Sequence, residues 1–167
     1  VLDLSIEEIE SQMETNYFGM IYCTKNFLPL MLKKKSGHVV NVASVAASFG
    51  LPGIASYCAS KFAMLGFSEG LKHEISGTGV GITVVSPIMV KTEFFDHPSF
   101  EKMPKYSPTS LNPKTVAKAI VKAANSSRLE IITPSVVRVA VWLKHTFPYF
   151  INPLMGKSFK KQLDRTN

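Results

Sequence analysis

Tyr57 and Lys61 stand four residues apart in the run Ser56-Tyr57-Cys58-Ala59-Ser60-Lys61. On a helix, positions i and i+4 lie one turn apart on the same face, so a phenol and an ammonium would be neighbours. A free tyrosine ionises near pH 10 (roughly), too high for proton transfer at neutral pH. A cation held one turn away favours the phenolate and lowers that value. The pair therefore reads as a general acid/base and its tuner. By itself it carries little weight, because a chain with 5 Tyr produces roughly half of one Tyr-x-x-x-Lys pair by chance. Its meaning depends on the elements that hold it.

Those elements alternate. Ser5 and Glu8 form a capping box. Apolar residues then recur from Ile6 to Leu32, which predicts a long helix or two abutting ones, closed by Lys33-Lys34-Lys35 and Gly37. His38–Ala43 is a β-branched run and reads as a buried strand. A loop with Gly50, Pro52 and Gly53 follows, then a second helix from about Ser56 to Ile75, in which Gly66 and Gly70 allow close approach. Gly81–Ser86 is a second buried strand, Thr115–Ala124 a helix opened by Asn112-Pro113, and Leu129–Thr133 a third strand. Residues 88–112 hold three prolines and no clean period, the pattern of a functional loop such as a lid. Val136–Phe147 and Leu154–Leu163 are expected as amphipathic helices separated by Pro148 and Pro153. Strands alternating with helices of this length imply βαβ units and a parallel sheet. Gly77-Thr78-Gly79-Val80-Gly81 imitates a phosphate-binding loop, but it follows a helix and opens a strand. The inverted context makes it a cap and turn.

Composition narrows the classes. The 167 residues are 46% hydrophobic and 19% charged, which excludes a disordered or low-complexity chain. No run of about 18 apolar residues exists to span a bilayer. Cys23 and Cys58 sit in apolar settings without a CxxC, fitting core packing in a reduced, cytoplasmic compartment rather than a disulfide or zinc site. The four histidines are scattered, so no metal is expected. The net charge of +7 is uneven: residues 131–167 carry six basic side chains and one acidic. The surplus belongs to the C-terminus and is no nucleic-acid signature.

Around the Tyr–Lys pair stand further residues at fixed spacing. Val40-Asn41-Val42-Ala43-Ser44 ends 13 residues before Tyr57; Thr15-Asn16-Tyr17 places Asn16 28 residues before Ser44; Ser86-Pro87-Ile88-Met89-Val90-Lys91-Thr92 follows the second strand. With these motifs residues 1–135 resemble the short-chain dehydrogenases/reductases, a Rossmann-like oxidoreductase family. The resemblance implies an α/β fold, part of a doubly wound parallel sheet: the last three strands with flanking helices, plus C-terminal amphipathic helices. It implies hydride transfer between NAD or NADP and a carbonyl or alcohol substrate. Tyr57 would exchange the proton of the substrate oxygen. Lys61 would lower the Tyr57 pKa and hold the nicotinamide ribose. Ser44 would bind the substrate oxygen, and Asn16 would bend its helix and hold a water. Pro87, Ile88, Val90 and Thr92 would line the nicotinamide; Ile88 departs from the family's usual glycine. The two long helices would pair in a homodimer or homotetramer. A non-catalytic nucleotide-binding protein of the same fold is the alternative.

Residues 136–167 form a basic, aromatic-rich tail. Its composition suits either a helix packed on the body, capping a hydrophobic substrate pocket, or an interfacial membrane surface. The second option is a membrane-surface interaction module. The family's glycine-rich cofactor loop is not among the 167 residues. The resemblance places Val1 just beyond the family's fourth strand, with roughly 80–100 residues of the domain before it. This chain alone is therefore expected to be inactive, to bind dinucleotide poorly and to aggregate through an uncovered strand edge. Titration of NADH and NADPH into it by calorimetry should show no tight stoichiometric binding.

Overall fold

The computed structural model describes residues 2–96 and 109–163. Ser5 caps helix α1 (Ile6–Met13): its hydroxyl accepts from the Glu8 N–H while the Glu8 carboxylate accepts from the Ser5 N–H. A π-helical turn, Glu14–Phe18, joins α1 to α2 (Gly19–Lys34) without a break, so the expected long helix is present with one swollen turn at Asn16. β1 (Gly37–Val42), β2 (Val80–Pro87) and β3 (Glu130–Thr133) form a parallel sheet in the order β1-β2-β3. The registers are Val42↔Val85 and Pro87↔Thr133. Between the strands run α3 (Ala55–Glu74) and α4 (Pro113–Ala123), and α5 (Val137–Thr146) and α6 (Pro148–Leu163) close the described chain. None of the described helices is long and apolar enough to cross a membrane.

β2 lies between its two neighbours with helices on both faces, and Ile82, Val84 and Val85 are fully buried. Met20, Ala43, Ala47 and Met64 pack on Val84; Leu71, Ile75 and Val80 pack on Ile82. A buried polar link joins the sheet to α3. Asn41 Nδ2 donates to Ser68 Oγ at 2.9 Å, and that hydroxyl donates to Met64 O at 2.7 Å.

Two expectations need correction. Cys58 is buried, but Cys23 is exposed: α2 turns Met20 and Thr24 to the core and leaves Tyr22, Cys23, Phe27 and Leu30 outside. Pro148 begins α6 and Pro153 lies inside it, so the last helix starts six residues before the expected Leu154. A proline at the first position gives up an N–H that has no helical acceptor anyway. In the described part of the 88–112 segment Glu93–Asp96 forms a 3-10 turn, and Val90 makes a parallel bridge with Leu111. Residues 97–108 of that segment, and 164–167 of the tail, lie outside the described residues. The glycine-rich run is a turn between α3 and β2 as expected, with positive φ at Gly77 and Gly79, +79° and +83°. A Cβ at Gly79 would collide with the Lys35 carbonyl.

Ser68→Ala should destabilise the protein by about 1–3 kcal/mol, because it leaves the buried Asn41 amide without its acceptor. Asn26→Ala removes an exposed hydrogen bond to Tyr22 O and should cost less than about 0.5 kcal/mol. Urea unfolding of the two variants checks the difference.

Candidate active site

The C-terminal ends of β1 and β2 and the first turns of α3 meet at one place. Ser44, just past β1, is extended and caps a 3-10 turn at Val45–Ala47; its hydroxyl accepts from the Ala46 N–H at 3.1 Å and faces Pro87 O at 3.5 Å. Tyr57 and Lys61 sit one turn apart on the buried side of α3, 8% and 7% exposed. The Lys61 ammonium lies 5.6 Å from the Tyr57 ring centre. It also lies 3.5 Å from both Val42 O and Met64 Sδ.

Two cross-links, equally spaced in sequence, clamp the first helices onto α3. Ser56 Oγ donates to Gln12 Oε1 at 2.8 Å, and Asn16 Nδ2 donates to Ser60 Oγ at 3.1 Å. Ser60 Oγ in turn donates to Tyr57 O at 2.8 Å. Asn16 makes this reach from the π turn, where the widened backbone departs from helical register.

Ser44, Tyr57, Lys61, Pro87, Ile88, Val90 and Thr92 all line a single cleft of about 1130 Å³. Asn16 does not; it lies behind Tyr57 and reaches the site through Ser60. The rest of the wall is apolar, and sequence reasoning missed most of it: Leu51, Met89 and Phe94, Val116 and Ile120 of α4, Val137 and Ala140 of α5, Met155 and Phe159 of α6. Phe94 carries no periodic signal, yet its ring centre stands 5.9 Å from that of Tyr57, tilted by 54°. The bridge to Leu111 uses the Met89 carbonyl (2.8 Å) and the Lys91 N–H (2.9 Å). By strand alternation the N–H and C=O of Val90 therefore turn away from Leu111.

Electrostatics follow burial. Desolvation pushes the Tyr57 phenol up to about 12, opposed by its hydrogen bond with Ser44 and assisted weakly by Cys58. Desolvation pulls the Lys61 ammonium down to about 8. The expectation that Lys61 lowers Tyr57 is not met in this geometry: the cation lies against the ring face rather than at the phenol oxygen, and loss of solvent dominates both groups. Burial likewise raises the Cys58 thiol, with the Leu51 N–H pulling the other way.

These shifts set how stability depends on pH. The unfolded chain holds the Lys61 proton more tightly, so its burial penalty is fully present below about pH 8 and fades as pH rises towards the ordinary lysine value. Tyr57 acts oppositely, losing stability between its ordinary value near 10 and about 12. Lys61→Met should therefore raise the unfolding free energy at neutral pH by about 2–3 kcal/mol and remove the gain seen on approaching about pH 10. Urea titrations at the two pH values measure both.

Residues 1–102 match the profile of the short chain dehydrogenases. Over 153 residues the chain is 35% identical to Retinol dehydrogenase 10-B of Danio rerio, covering 89% of this chain and 45% of that protein. It is 32% identical over 160 residues to human 17-beta-hydroxysteroid dehydrogenase 13, covering 94% and 52%. The chain thus spans about half the length of the curated relatives it matches. Among solved structures, a short chain dehydrogenase from Burkholderia cenocepacia in complex with NADP superposes with a TM-score of 0.78 at 23% identity, covering 90% of this chain and 60% of that one. One from Burkholderia phymatum in complex with NAD gives 0.77 at 24%, covering 89% and 61%. By its match over residues 1–102 the chain belongs to the short chain dehydrogenase family, and its fold is that of the solved structures.

Proposed function

We propose that this chain is the proton-transfer and substrate-binding part of an NAD- or NADP-dependent oxidoreductase acting on a lipophilic carbonyl or alcohol. The observation that carries the reading is the placement of Ser44, Tyr57, Lys61 and the Val90 backbone around one apolar cleft. Relatives whose names include retinol and 17-beta-hydroxysteroid dehydrogenases, and neighbours solved with NADP and NAD, support it.

The residues fit a nicotinamide. Val90 offers an adjacent N–H and C=O turned from strand pairing, the complement of a carboxamide, and Thr92 adds a hydroxyl beside it. Lys61 has three donors, of which one faces Val42 O and one faces Met64 Sδ, leaving a third for a ribose hydroxyl in the cleft. When bound, the nicotinamide supplies or accepts the hydride.

The chain's own residues manage the proton and the charge. With its pKa at about 12, Tyr57 keeps its proton at neutral pH and donates it to a carbonyl oxygen as that oxygen becomes an alkoxide. Ser44, fixed by the Ala46 N–H, gives a second hydrogen bond where the negative charge develops. Asn16, through Ser60, fixes the α3 turn that carries Tyr57, and is a positioning residue. The apolar walls exclude water, strengthening both contacts, and match a substrate with few polar groups. Outward-facing Phe18, Tyr22, Phe27 and Leu30 support self-association of these helices as a dimer or tetramer.

In the full-length protein, reduction of a long-chain aldehyde followed by loss of NADH or NADPH absorbance should fall about 10²–10⁴-fold in Tyr57→Phe. Ser44→Ala should lower kcat about 10²-fold with a smaller change in KM. If wild type and Tyr57→Phe are equally inert over a broad carbonyl panel, the protein is a nucleotide-binding module rather than an enzyme.

A further inference from the structure

α5 and α6 are apolar on two sides. Their inner sides wall the cleft: Val137 and Ala140 of α5, Met155 and Phe159 of α6. Their outer sides carry large apolar groups in solvent. On α5, Val139 and Trp142 are three residues apart and exposed, Trp142 by 59%. On α6, Phe150, Leu154, Lys157 and Lys161 follow at spacings of four, three and four, one stripe along the helix. Tyr149 is 90% exposed, and Val136 is both 71% exposed and part of the cleft lining, which puts it at the rim.

The charge around this face is of one sign. Residues 131–163 contain no Asp or Glu. Arg138 lies one turn before Trp142, and Lys157, Lys160 and Lys161 form the end of α6. Lys144 is engaged elsewhere, 5.7 Å from the centre of the Phe62 ring. A second copy docked on the same face would set cations against cations, and an uncharged partner would leave them unpaired. Lipid phosphates and carboxylates pair with them while the aromatic and aliphatic groups enter the acyl boundary.

We propose that the outer face of α5–α6 docks on an anionic bilayer surface, with the mouth of the cleft beside it. Docking needs no substrate. Its consequence, entry of a membrane-dissolved substrate past Val136, rests on the oxidoreductase reading above.

Trp142 is the only tryptophan of the 167 residues, so its emission reports on this face once any tryptophan elsewhere in the full-length protein is replaced by phenylalanine. In the full-length protein, mixed phosphatidylcholine/phosphatidylserine vesicles should shift Trp142 emission to the blue, and brominated acyl chains should quench it. Lys157→Gln/Lys160→Gln/Lys161→Gln should weaken binding about fivefold per cation, on the order of a hundredfold together. Phe150→Ser/Leu154→Ser should weaken it about tenfold or more. Neither variant touches the residues around Tyr57, so turnover of a water-soluble carbonyl should persist. An unmoved Trp142 signal overturns the proposal, as does equal binding to pure phosphatidylcholine. A blue shift that grows with protein concentration alone, and is lost with dissociation to smaller species in Phe150→Ser/Leu154→Ser, makes a second copy the occupant and overturns it too.

Discussion

Burial of the Lys61 ammonium is the constraint around which the described residues are arranged. A cation taken out of water is costly unless it is paired, and here its neighbours within 3.5 Å are a backbone carbonyl and a thioether rather than a carboxylate. The group responds by losing proton affinity, to about 8. A fold accepts such a group only if the surroundings are well determined. The links Asn41–Ser68, Gln12–Ser56 and Asn16–Ser60 all converge on α3, from the sheet on one side and the first helices on the other. The same links hold Tyr57 against Ser44, so the polar ties that keep a buried lysine in place also set the Tyr57 phenol.

Desolvation acts on the two partners in opposite directions, and this separates them functionally. The phenol is driven towards its neutral form and the ammonium towards its own, so each is made less charged by the same dry surroundings. A group that adds a compensating charge or hydrogen-bond acceptor to the cleft acts on both at once. The tuning is thus a property of the dry surroundings rather than of the Tyr–Lys spacing.

What could be read from the residues was what depends on local order. The i, i+4 placement of Tyr57 and Lys61, the position of Ser44 at a strand end and the run to Thr92 are all fixed within a few residues of chain, and they do gather in one cleft. Asn16 was visible because an asparagine is uncomfortable within a helix, and the π turn explains how that position is tolerated. The sign of the Tyr57 shift was not visible, because burial is contributed by Ala46, Ile54, Leu51 and Met89, distant or adjacent in ways spacing does not record. Nor was the inner face of α6, since Pro148 and Pro153 mark a boundary by local rules and the helix passes through one of them. Cys23 was misplaced for a related reason: apolar neighbours in sequence do not say which side of a helix faces the core.

The two walls of the cleft differ in how firmly they are held. α3 buries seven side chains, among them Tyr57, Lys61 and Ser68. α5 buries none, and its contacts are mainly with α6 and the end of β3. Local opening free energy scales with such burial, so the α5–α6 side opens at lower cost than the side that carries Tyr57 and Lys61. An apolar cleft with one rigid wall and one pliable wall suits a bulky, hydrophobic guest. On the proposed function the reacting oxygen would be positioned by Ser44 and Tyr57, where geometry decides the rate, while Val137, Met155 and Phe159 would need only to exclude water and adapt to shape. A lipid surface under α5–α6 would act on the pliable wall alone, changing access to the cleft without disturbing the ties that hold Tyr57.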